Sequence, residues 1–190
     1  MQMPVRKMSA PVSYEKPAVP SGVLAVIMVI IVEAMFFGGL ISAFILAKAG
    51  RMVWPPADQP RLPFSVTFTN MLVLLASAVL MWLYIKNVHR KSYLIRTMIL
   101  GGIFFLVQGF EWIRILLFGI QTGEGLFTSF FYTLIGLHGL HVLAGLLGLG
   151  YVFKHYSVEA KRKEYALAAG LFWFFVVALW PVLYVMIYSD

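Results

Sequence analysis

The chain has 190 residues, 61% hydrophobic and 12% charged, with a mean hydropathy of +0.87 and a formal net charge of +7. A soluble domain carries about a quarter charged residues, so an ordinary soluble fold is excluded, and apolar blocks longer than about 18 residues identify an integral membrane protein. There is no cysteine, which removes disulfide frameworks, thiolate metal sites, iron–sulfur clusters and cysteine nucleophiles together.

Residues 1–21 contain Pro, Lys and Arg but no apolar core or small-residue cleavage site, and are expected to form a short flexible tail. From there a single membrane domain, 22–190, is expected to carry five helices. Their predicted spans are 22–47, 64–85, 97–118, 126–153 and 165–188, each long enough to cross a bilayer. A strand reading fails because the apolar runs are too long and do not alternate. The fold class is therefore all-α, a five-helix polytopic bundle whose short connections make successive helices antiparallel neighbours. The first interhelical loop, "RMVWPPADQPRLP", is rich in proline and predicts a stiff, non-helical crossover. Pro181 predicts a kink in the last helix.

Lys and Arg fall unevenly about these spans. Eleven lie in the tail, the second loop and the fourth loop, against four on the other side. The positive-inside rule then places the N-terminus in the cytoplasm and the C-terminus outside. Topology and anionic headgroups account for the net charge, so no nucleic-acid partner is expected.

Few ionisable groups lie within the spans, and in hydrocarbon each needs a partner, protein cover or water. Glu111 and Arg114 are three residues apart on helix three, and Gln108 extends the same stripe. An ion pair near the outer interface, with Arg114 reaching the headgroups, is the expectation, ahead of a proton relay. On helix four His138, His141, Gly145 and Gly148 form a stripe suited to close packing. No second helix carries histidine, and neither Glu33 nor Glu111 is followed by His three residues on. A bis-histidine haem or a di-iron site within this chain is therefore not expected. Glu33 lies roughly 16 Å into the membrane at about 1.5 Å per residue, and His138 roughly 18 Å from the opposite end of its antiparallel helix. Both depths fall near the middle of the bilayer, so Glu33 is expected to meet His138 or His141 between helices one and four. The small residues Ala34, Gly38 and Ser42, four apart, are expected to allow close helix contact beside it.

In order along the chain stand "EAMFFGGL" (33–40), "WPP" (54–56), "NMLVLLAS" (70–77), "QGFEW" (108–112), "LHGLHV" (137–142) and "LYVMIY" (183–188). In this set and order the chain resembles subunit III of the haem–copper respiratory oxidases, in a short five-helix bacterial form. The resemblance implies a non-catalytic, multi-pass subunit of the bacterial plasma membrane with no redox centre of its own. It would pack on the catalytic subunit I of a proton-pumping terminal oxidase, with haem and copper in partner subunits. A respiratory supercomplex is a further partner implied through those subunits. The donor implied is cytochrome c, with a quinol oxidase as the alternative. The resemblance also implies phospholipid bound in a cleft near the oxygen-entry route, support of proton uptake and stabilisation of the catalytic core. Glu33 matches the family's buried carbodiimide-reactive carboxylate, His138 and His141 its paired histidines, and Glu111 its helix-three carboxylate. Asn70 stands in one of the matching stretches and joins the candidates for the lipid cleft or the buried polar set. Where the family carries polar residues in the last helix, this chain has Phe174 and Val177. A small transporter or proton channel using Glu33, Glu111 and the histidines is the competing class, but neither an internal repeat nor a helix broken at the midplane is evident.

Overall fold

The computed structural model describes residues 19–49, 64–117 and 126–188. They form α1 (Ser21–Ala49), α2 (Phe64–Lys86), α3 (Lys91–Leu117), α4 (Leu126–Lys154) and α5 (Glu159–Tyr188), with no strand among them. All five are long and apolar enough to cross a membrane. The "WPP" loop and residues 1–18 of the expected tail lie outside the described residues, and Ser21 already begins α1.

Two helices begin six residues before their predicted starts. Lys91–Arg96 and Glu159–Glu164 are too polar for the bilayer core, but they consist largely of good helix formers and continue α3 and α5 beyond it. Hydropathy marks the span, whereas backbone hydrogen bonding marks the helix. The short turns 87–90 and 155–158 close with Arg90 N–H donating to Asn87 O and Val158 N–H donating to His155 O, both at 3.0 Å. The helix of α5 continues through Pro181, whose missing N–H a membrane helix tolerates inside a bundle.

α5 occupies the centre, packed against α1, α2 and α4, while α3 joins α2 to α4. Half of the apolar window of α5 is buried, against 6% of that of α1. Membrane helices gain little from apolar burial itself, so close packing decides which faces meet. Trp173 and Trp180 of α5 are fully buried. A Cβ on Gly101 of α3 or Gly145 of α4 would come within 2.6 Å or 2.8 Å of the Trp173 ring, so the glycines make the slot this indole fills. Its Nε1 donates to Ser77 Oγ of α2 at 3.1 Å, joining three helices to α5 at one side chain. Phe174 and Val177 take apolar places here: Val177 is buried and Phe174 packs on the core.

α1 is attached by a narrow stripe. Its buried residues Val23, Phe37 and Phe44 are separated by multiples of seven, which keeps them on one line along the helix. Among the described residues of this chain, Ala34, Gly38 and Ser42 do not form the expected helix contact. All three are exposed, and a Cβ on Gly38 would meet nothing within 4 Å. The reason is helical phase: at 3.6 residues per turn they lie roughly 60–140° round from Phe37, on the side away from Glu33. Ser42 instead donates to Gly38 O of its own helix at 2.8 Å.

Candidate functional site

Glu33 projects from the flank of the α1 stripe, one turn before Phe37, and its Oε2 lies 3.0 Å from Nε2 of His141 on α4. Of the two histidines at a matching depth, the structure brings His141 to Glu33. The imidazole is set by a second contact, Nδ1 to the carbonyl oxygen of Leu137 at 2.7 Å. A carbonyl can only accept, so Nδ1 carries a proton. Nε2 and Glu33 Oε2 then need one further proton between them to bond. Whether it sits on the carboxyl or the imidazole, the pair is neutral overall, which suits its depth in the membrane. Phe37 stands edge-on to the ring at 5.1 Å between centroids, and Phe172 of α5 stacks on it at 6.3 Å.

His138, one turn away and about 60° round the helix, points into the bundle against α3 and α5. It is fully buried, stacked on Trp180 at 4.8 Å and edge-on to Phe104 at 6.2 Å. Neither ring nitrogen has a hydrogen-bond partner among the described residues, and the same holds for Trp180 Nε1.

The α3 stripe divides similarly. Asn70 of α2 donates from Nδ2 to Phe104 O at 3.1 Å and to Gln108 Oε1 at 3.3 Å, which ties α2 to α3. Glu111 is buried, and its Oε2 lies 3.5 Å from Nη2 of the half-exposed Arg114, an ion pair without a hydrogen bond. Sequence reasoning missed both the Asn70–Gln108 bond and the central place of Trp173. The glycines at 101 and 145 were the available signal for Trp173, but spacing alone does not reveal which bulky residue they admit.

The glycines of α4 differ from the expected packing face. Gly145 accommodates Trp173, whereas a Cβ on Gly148 would meet nothing within 4 Å. Together they open a cavity of about 270 Å³. Val26, Tyr151, Tyr165 and Phe172 complete most of its lining between α1, α4 and α5. Val26 is two turns before Glu33 and Gly145 one turn after His141, so this apolar space adjoins the polar pair. Among the described residues no three His, Cys, Asp or Glu side chains are grouped so as to hold a metal ion.

A family model described as cytochrome c oxidase subunit III matches residues 7–189, nearly the whole chain. The chain belongs to this family, within the haem–copper oxidases. Among curated relatives, cytochrome c oxidase subunit 3 of Thermostichus vulcanus is 31% identical over 178 residues, covering 87% of this chain and 86% of its own length. A probable cytochrome c oxidase subunit 3 of Mycobacterium leprae is 29% identical over 168 residues, covering 82% and 81%. The heme-copper oxidase subunit I+III of Aeropyrum pernix is 26% identical over 172 residues, 82% of this chain and 21% of that longer protein. The chain is thus a multi-pass membrane subunit of an oxidase complex.

Proposed function

We propose that this chain is the non-redox subunit III of a proton-pumping cytochrome c oxidase of a bacterial plasma membrane, packed on subunit I and stabilising it. Oxygen is reduced to water at haem and copper in partner chains. The observation that carries the reading is the Glu33–His141 pair, a neutral joint between the weakly attached α1 and the bundle. The I+III protein of Aeropyrum pernix supports subunit I as neighbour, because its name assigns both parts to one chain.

The cavity between α1, α4 and α5 suits one acyl chain of a phospholipid, since its lining is almost wholly apolar and it lies within the span. Lipid bound there fills the space beside the pair and keeps α1 on the bundle. Through the same joint, Glu33 and His141 hold a proton near the protein–lipid boundary, the form in which the subunit supports proton uptake.

Purification of the intact complex under mild conditions tests this reading. The chain is expected to copurify with a large haem- and copper-bearing subunit that consumes oxygen with reduced cytochrome c. Oxygen consumption with quinol alone would overturn the donor, and the absence of such a subunit would overturn the assignment. Native mass spectrometry is expected to find phospholipid retained on the wild type and reduced by Gly148→Phe, which fills the cavity.

A further inference from the structure

The turns 87–90 and 155–158 meet at one end of the bundle, the end that the positive-inside rule assigns to the cytoplasm. Residues 86–96 and 154–164 around them carry eight Lys and Arg against two Glu. Neither carboxylate neutralises the centre of this patch. Glu164 is turned to α1, where a Cβ on Gly22 would come within 3.1 Å of its Oε1. Glu159 is 80% exposed and 4.0 Å from Arg162 Nη1.

A topological signal requires only that such charges stay out of the bilayer, yet two of them share one aromatic ring. Tyr156 is fixed by its hydroxyl, which donates to His89 O of the α2–α3 turn at 2.6 Å. Arg162, early in α5, donates from Nε to Tyr156 O at 2.7 Å and from Nη1 to His89 Nδ1 at 3.1 Å. Its guanidinium covers the Tyr156 ring at 4.4 Å, and these contacts do not use Nη2. Lys91, the first residue of α3, brings Nζ to 5.4 Å over the same ring and 4.1 Å over Phe153 of α4. The two cations stand within about 10 Å of each other, one Debye length in dilute salt, and repel. Among the described residues no carboxylate reaches Lys91 at ion-pair distance. A ring face attracts a cation but leaves its charge in place. What the pair lacks is an anion with two oxygens.

The surface below the cations is apolar. Ile95 and Ile99, one and two turns along α3 from Lys91, are exposed, and Phe153 beside Lys91 is 37% exposed. Charge at the headgroup level above apolar side chains in the span fits an amphiphile better than a free ion or an acidic peptide. We propose that Lys91, Arg162 and the Tyr156–Phe153 shelf seat the phosphodiester of an anionic phospholipid of the cytoplasmic leaflet, with acyl chain lying along Ile95 and Ile99. One non-bridging oxygen accepts from Lys91 Nζ and the other from Arg162 Nη2. The seat shares no residue with the lining of the cavity between α1, α4 and α5.

The test uses the intact oxidase complex in nanodiscs of phosphatidylcholine with a minor share of phosphatidylglycerol, followed by native mass spectrometry. The wild type is expected to retain phosphatidylglycerol in preference to phosphatidylcholine. Lys91→Gln is expected to lower that occupancy about fivefold, and Lys163→Gln, which removes an exposed charge next to Arg162, by less than about twofold. Gly148→Phe, which fills the separate cavity, should leave this lipid in place, and excess inorganic phosphate should not displace it. Equal losses in Lys91→Gln and Lys163→Gln would mean diffuse attraction only and overturn the proposal. So would an absence of preference for phosphatidylglycerol, displacement by inorganic phosphate, or crosslinking of Lys91 to a carboxylate of a partner chain.

Discussion

His138 and His141 lie one turn apart on α4, and their surroundings are opposite. His141 faces α1 at the protein–lipid boundary with both ring nitrogens engaged, by Glu33 and by the Leu137 carbonyl. His138 faces the core, has no exposed surface, and is held by the rings of Trp180 and Phe104 with neither nitrogen bonded among the described residues. One histidine is retained by hydrogen bonding and the other by shape. A buried polar group without a partner costs about 1–3 kcal/mol, so the same residue type stabilises at one position and burdens the other.

The largest effect is expected at the aromatic side of this contrast. Trp173→Ala empties the slot lined by Gly101 and Gly145 and breaks the bond to Ser77, and should cost about 3–5 kcal/mol. Thermal unfolding of the subunit within the purified complex would reveal it as an early transition. A cost below that of an ordinary surface change would mean that Trp173 is not the central wedge.

The two histidines separate next. His141→Phe leaves Glu33 without its partner and should destabilise by about 1–3 kcal/mol. His138→Phe keeps a ring of similar shape, removes two unbonded nitrogens, and should be neutral or stabilising by about 1 kcal/mol. Chemical denaturation in detergent compares them, and equal losses would erase the distinction. Gly38→Ala probes the open side of α1. Within this chain it meets nothing and should stabilise the helix by about 1 kcal/mol through propensity alone. If dissociation of the subunit from the complex is instead accelerated, the small-residue face is covered by a partner chain.

Much of this was legible in the sequence because membrane insertion imposes coarse rules. Length and hydropathy gave the five helices, and antiparallel depth matching brought Glu33 to the level of the α4 histidines. Choosing His141 over His138 was beyond it, because residues three apart lie only about 60° round the helix from each other and about 4.5 Å apart in depth, so neither face nor level separates them. Ala34, Gly38 and Ser42 were not placed by spacing either: within this chain they are exposed, because a small-residue stripe records that contact is sterically possible, not which face the rest of the chain occupies. The Arg162–His89 contact was invisible for another reason. It joins His89, in the α2–α3 turn, to Arg162, at the start of α5, 73 positions apart, through side chains whose types are ordinary for basic membrane-flanking segments.

Glu33→Gln in the intact oxidase complex is the most direct measurement of the central claim, that the pair joins α1 to the bundle in a supporting subunit. Glutamine can still donate to His141 Nε2, so the stability loss should be only about 1 kcal/mol. The initial rate of oxygen consumption should match the wild type, while the subunit dissociates sooner as detergent is raised. Immediate and complete loss of turnover, with the subunit fully retained, would contradict the account.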